Sequence, residues 1–339
     1  MFKNQRRFIS RHFTTYFLMM AFIITGCQSA KIVSTSKLKL KQDFCVSPST
    51  GDYSGLPAIV QNLDSLFEQA AKLQPFLSKQ GILTANASGT MQLIINLVEL
   101  GRDSPIIAER LFLAYTIEIQ KNISLVKSEI EAVSSELQCE SFRTRQLSAY
   151  LGNLNAKINS RLTVGAIAVG SLTTILPVLL TGKISTYVVG IGGGLLSAGL
   201  GIATLKTSRY TLKMVTDRNL LENIWNGDSS KLIYPPQLWY YLNEPGFGNS
   251  PQKSIVQVLK MRWLKFDLNN SLDNTTAKLL FGNGGIFNQD NLDLRATMLT
   301  ELAAEVNSMT QYLDNLNYKI NTIKLQVLLV ADIHAVSGT

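Results

Sequence analysis

The sequence predicts an all-α protein: an elongated bundle of long heptad helices, with a central hydrophobic helical hairpin and a small loop-rich helical subdomain. Three observations predict it. First, Ile119, Ile123, Val126, Ile130, Val133 and Leu137, then Leu147, Leu151, Leu154 and Ile158, keep a four-three heptad spacing. Glu140 and Thr144 occupy the two slots that interrupt it. Second, Leu299, Leu302, Val306, Met309, Leu313, Leu316, Ile320, Ile323, Val327 and Val330 form another heptad run with no slot broken. Third, 19 residues (Leu162–Leu180) and 22 residues (Ile184–Leu205) carry no charge, and only Thr181-Gly182-Lys183 separates them.

The chain opens on a basic stretch, Lys3, Arg6, Arg7 and Arg11, followed by a short apolar run from Tyr16 to Ile24. That run is too short to span a membrane and suits the hydrophobic part of a signal peptide. It ends in Ile24-Thr25-Gly26-Cys27, which resembles the lipobox of bacterial lipoproteins. The resemblance implies cleavage after residue 26 and acylation of Cys27, palmitate included. Gln28 after the cysteine, rather than Asp, implies the outer membrane and a periplasm-facing protein. Ile24 and Thr25 depart from the commoner residues of that motif. Residues 27–53, rich in Lys, Ser and Thr with little periodicity, then read as a lipidated tether.

Charge follows the same division. The formal net charge is +8, but the four basic residues before Cys27 leave a mature chain of only +4. That excess is too mild and scattered for a nucleic-acid partner. With 46% apolar residues the chain has ample material for a core. If Cys27 is acylated, Cys45 and Cys139 remain as an even pair in an oxidising compartment, either joined as a disulfide or left as two thiols.

Residues 54–161 read as a helical bundle. Leu56–Lys79 and Gly89–Gly101 have helical spacing, and Ser104-Pro105 opens a long helix running to about Arg161. At about 1.5 Å per residue that helix would be some 85 Å long. Residues 162–205 form the hairpin. Gly170, with Ala166 and Thr174, supplies small residues every fourth position in the first segment. Gly190, Gly194 and Ala198 do so in the second, a pattern that lets membrane helices pack closely. Three readings stand: a transmembrane hairpin, a hairpin stored in the fold and released, and a buried core hairpin. Membrane contact is expected, because two helices apolar all round need more covering protein than this chain supplies.

Residues 206–288 gather all three tryptophans, Trp225, Trp239 and Trp263, among Gly- and Pro-rich breaks, and predict an aromatic helical and loop subdomain. Ser250-Pro251 predicts the start of a short helix through Phe266. Residues 289–339 form the C-terminal heptad helix and tail, with Asn288 or Asp290 as its cap. Tyr150–Asn159 matches Tyr312–Asn321 at eight of ten positions, either as a pair of equivalent docking surfaces or as two heptad helices converging in similar surroundings, the reading favoured by the heptad-dictated core positions.

No catalytic constellation emerges. Gly190-Ile-Gly-Gly-Gly194 lacks the spacing of a phosphate loop, and His334 is the only histidine after Cys27. That single histidine also leaves no metal site, and no cofactor is expected. Glu129 with Glu131, and Glu301 with Glu305, read as solvated helix faces. The expected function is therefore that of a lipid-anchored envelope protein of structural or assembly type, not an enzyme. Its partners would be membrane lipid through Cys27 and either a second copy or an envelope protein. The long helices around a mid-chain hydrophobic tongue also resemble, in layout only, the helical pore-forming cytolysins, which implies membrane disruption as the alternative.

Overall fold

The computed structural model describes residues 31–34, 45, 56–100, 105–179, 210–216, 218–227, 233–248 and 252–337. The expected signal segment, Cys27 and the second hydrophobic segment lie outside the described residues. The chain is mostly helical, with one very long helix and a small three-stranded sheet. The sheet corrects the all-α expectation. Strand β1 is Lys31–Ser34, β2 is Tyr210–Val215 and β3 is Gly284–Phe287, in the order β1-β2-β3. β1 and β2 run parallel, with Lys31 opposite Tyr210 and Ser34 opposite Lys213.

Among the described residues, nine α-helices join them. Helices α1 (Leu63–Gln69), α2 (Lys79–Ala87) and α3 (Met91–Glu99) replace the two expected over 56–101. The chain instead stays extended up to Asn62, whose side chain caps α1 by accepting from the Ser65 N–H at 2.9 Å. Ser78 caps the next helix, its side chain accepting from the Gly81 N–H at 3.2 Å. Gly89 adopts φ +64°, and a Cβ there would lie 2.8 Å from Pro57 Cδ, so the turn between α2 and α3 requires glycine.

Helix α4 (Pro105–Leu179) runs 75 residues, and the last helix, α9 (Gln289–Ser337), runs 49, beginning directly after Asn288. Between them lie α5 (Glu222–Asn226), α6 (Pro236–Asn243), α7 (Ile255–Arg262) and α8 (Asn274–Phe281). Helix α7 starts later than Ser250-Pro251 implied. Ser254 and Gln257 form a reciprocal capping box that fixes its first turn.

The chain divides into two compact units. The first comprises Met1–Lys39, Gln146–Met214 and Ile286–Asp290; the second comprises Leu40–Arg145, Val215–Gly285 and Asn291–Thr339. The aromatic stretch is thus split from its expected boundaries, most of it sharing a unit with the long helices. In the first unit Leu147, Leu151, Leu212, Met214 and Phe287 are buried. In the second, the heptad residues Ile119 to Leu137 and Leu299 to Ile323 form the seam between α4 and α9. These helices run antiparallel, because Gln120 bonds Asn317, Lys127 pairs with Asp314 at 2.7 Å and Ser141 Oγ donates to the Ala296 carbonyl at 2.8 Å.

No helix among the described residues is long and apolar enough to cross a membrane. This overturns the transmembrane assignment. The part of the first hydrophobic segment whose side chains are described ends at Ala168 and continues α4 without a break from exposed Lys157 and Arg161. Gly170 lies on α4, while Gly190, Gly194 and Ala198 lie outside the described residues.

Candidate functional site

Of the residues expected to matter, the structure brings two together. Cys45 is joined to Cys139, on α4, with Cα atoms 5.5 Å apart. Closing a loop of 94 residues removes much of the freedom of the unfolded chain. Eleven residues beyond Cys45, the extended run from Leu56 is held by a buried amide. Asn86 Oδ1 accepts from the Val60 N–H at 3.0 Å, and Asn86 Nδ2 donates to the Val60 carbonyl at 2.9 Å. The side chain thereby offers Val60 the two bonds a neighbouring strand would. Asn86 Nδ2 also reaches the Tyr240 hydroxyl at 3.2 Å. Burial pushes that phenol above its ordinary range, with the Asn86 bond acting the other way, so it stays protonated.

Leu56 to Gln61 form one wall of a cleft of about 480 Å³ whose other wall is α6, with Trp239 and Tyr240. A second, aromatic pocket of about 230 Å³ lies among Tyr241, Phe247 and Tyr312. Tyr241 shares a hydrogen bond with Ser308 Oγ at 2.7 Å, and the pocket's carboxylate, Glu305, is already paired with Arg262 at 3.2 Å. These hydroxyls and one neutralised acid provide no nucleophile with an adjacent base. Among the described residues no three His, Cys, Asp or Glu side chains gather as metal ligands.

A buried ionic cluster occupies the heptad interruption. Arg295, from α9, is 1% exposed; its guanidinium donates to the Leu280 carbonyl at 2.8 Å and to Asn219 Oδ1 at 3.1 Å. Burial lowers its pKa to about 10, opposed by the Glu140 charge, so it remains a cation at neutral pH. Glu140 pairs with Arg143 at 3.1 Å. Burial raises the Glu140 pKa, and Arg143 and Arg295 pull it back. Buried Glu136 accepts from Arg218 Nε at 2.7 Å. Tyr234 donates to the Leu220 carbonyl, and burial, reinforced by the Glu136 charge, holds its phenol protonated. Glu136 and Glu140 each hold an arginine, and Arg295 is held by a carbonyl and an amide oxygen, an arrangement that suits a structural lock.

Sequence reasoning passed over this cluster, although Arg295 stands in the heptad slot four residues before Leu299. Two expected surfaces also need correction. Glu129 is buried, unlike Glu131. Glu301 accepts from Trp263 Nε1 at 2.9 Å and pairs with Arg262 at 3.3 Å, while Glu305 takes the other arm of that guanidinium. These two carboxylates are docking points for the turn after α7. The aromatic residues behind them are core: Trp225 stacks on Phe281 at 4.3 Å, and Trp263 is fully buried. No family model matches the chain, and no curated protein or solved structure matches it either.

Proposed function

We propose that this chain is a lipid-anchored cell-envelope protein, attached to the outer membrane through acylated Cys27, whose elongated helical bundle serves a structural or assembly role. The observation that carries the reading is the way the stretch after Cys27 is secured. β1 begins four residues after that cysteine and joins the sheet, and Cys45 is bonded to α4. A tether that is only an address needs no such fastening; one that transmits position or load from membrane to body does. The disulfide suits an exported protein, since such bonds persist in oxidising compartments. The α4–α9 seam supports the rod-like part of the reading, because paired heptad helices make stiff spacers. Several acyl chains, each buried methylene contributing about 0.8 kcal/mol, would hold it firmly.

Metabolic labelling with radioactive palmitate tests this. The full chain should take up label and fractionate with the outer membrane. The Cys27→Ser chain should take up none. Label on the Cys27→Ser chain, or none on the parent, sinks the reading.

A further inference from the structure

Charge is divided very unevenly between the two units. After Cys27 the first unit's residues include nine basic ones against a single acid, Asp290, whereas the second unit's carry 19 basic against 23 acidic. The mild +4 of the mature chain therefore hides a unit of +8 and a unit of −4. Its cause is a long gap in the sequence: no carboxylate occurs between Glu140 and Asp217, a stretch holding eight Lys and Arg. Four of the first unit's cations are on described, exposed residues: Lys31 on β1, Lys157 and Arg161 on α4, and Lys213 on β2. Two contacts draw these elements together. The Tyr210 N–H donates to Asn155 Oδ1 at 3.0 Å, joining β2 to α4, and the Lys31 ammonium lies 5.9 Å from the centre of the Tyr210 ring.

We infer that this basic unit docks electrostatically on an anionic phospholipid bilayer, a second membrane contact besides the lipid. The choice of partner follows from reach. Lys31 lies four positions after Cys27, at most about 14 Å of extended chain, so an acylated cysteine would bring this cation, and the basic unit it belongs to, close to the headgroups, Lys31 itself within roughly a Debye length or two. Each basic residue near an anionic surface strengthens binding about fivefold. This inference rests on the Cys27 reading for its choice of partner, but the surface does not need the lipid in order to bind.

Vesicle flotation of the mature chain from Gln28, exported behind a cleavable signal sequence so that it carries the disulfide and no lipid, tests it. Binding is expected to vesicles containing phosphatidylglycerol and not to pure phosphatidylcholine, and should fall away at high ionic strength. Replacing Lys31, Lys157, Arg161 and Lys213 together by Gln should weaken it at least about fivefold. Lys72, Lys121, Lys265 and Lys278, exposed in the second unit, should be replaceable with little loss. All eight side chains are exposed, and helicity with an intact disulfide verifies that each variant is folded. Equal binding to both vesicles, binding to neither, or an undiminished first-unit variant overturns the inference. A failure of palmitate labelling would remove the anchor and leave the vesicle result standing, so the two ideas fail separately.

Discussion

Helix α4 keeps one heptad spacing through two chemically different stretches. Up to Arg145 its seam with α9 is interrupted by charge: Glu136, Glu140 and Arg143 face a region that also holds Arg218 and Arg295. Beyond Gln146, in the first unit, the described buried polar residues are neutral, Ser148 and Asn155, the latter bonded to the β2 backbone, and no carboxylate follows for the rest of the helix. Apolar spacing makes both stretches helical, while the polar interruptions select what packs on them. A buried charge demands a charged or carbonyl-rich partner; a buried amide accepts the single N–H of a strand.

Removing the partner at the charged stretch should have the largest effect. Arg295→Met keeps an apolar stem of similar length but strips two hydrogen bonds and leaves Glu140 with only Arg143 nearby. Loss of one member of a buried ionic group costs about 3 kcal/mol or more. Urea unfolding should show a lower midpoint with unchanged slope. A change within about 0.5 kcal/mol, the usual range for a surface substitution, would mean the cluster contributes no lock.

Glu140→Gln sharpens the same contrast with a smaller effect that depends on pH. The Glu140 pKa is raised in the folded chain, chiefly by burial. The folded protein therefore binds this proton more readily than the unfolded one, and the site gains stability as pH falls through its folded pKa towards the unfolded value. A glutamine cannot titrate. The parent should gain on the Glu140→Gln chain as pH is lowered from neutral into the carboxylate range, and a stability difference that stays flat with pH would show the burial cost to be negligible.

Much of this architecture is legible in the sequence, and the gaps have physical causes. The heptad runs locate both long helices because their apolar slots face a continuous seam, and every slot from Leu299 to Ile323 is buried. The flanking ladder at Gln120, Lys127, Ser134 and Ser141, spaced by seven, also marks the partner helix, but only once α9 is aligned against it. Strand β2 escaped notice although Tyr210, Leu212 and Met214 alternate with Thr211, Lys213 and Val215, because six residues beside a long apolar run carry a weak period-two signal. β1 is shorter still, and its pairing is non-local. Glu301 and Glu305 looked solvated because helical spacing puts them outside the seam, and nothing local announces that Trp263 and Arg262 will land there.

The decapeptide repeat supplies the most delicate comparison, since it places nearly the same residues in both surroundings. Asn155 and Asn317 are its equivalent amides. Asn155 is buried and accepts from the Tyr210 backbone; Asn317 is half-buried and accepts from the Gln120 side chain. Truncating Asn155 strands a backbone donor that has few alternatives, at a cost of about 1–2 kcal/mol. Truncating Asn317 leaves a flexible glutamine that can turn to water, within about 0.5 kcal/mol. Asn155→Ala should also speed hydrogen exchange at the Tyr210 amide, whereas Asn317→Ala should leave that amide unchanged. Equal costs at the two positions would make the repeat a matter of heptad composition alone. The expected inequality would instead show that position 155 has been recruited to hold β2, the strand with which β1 pairs.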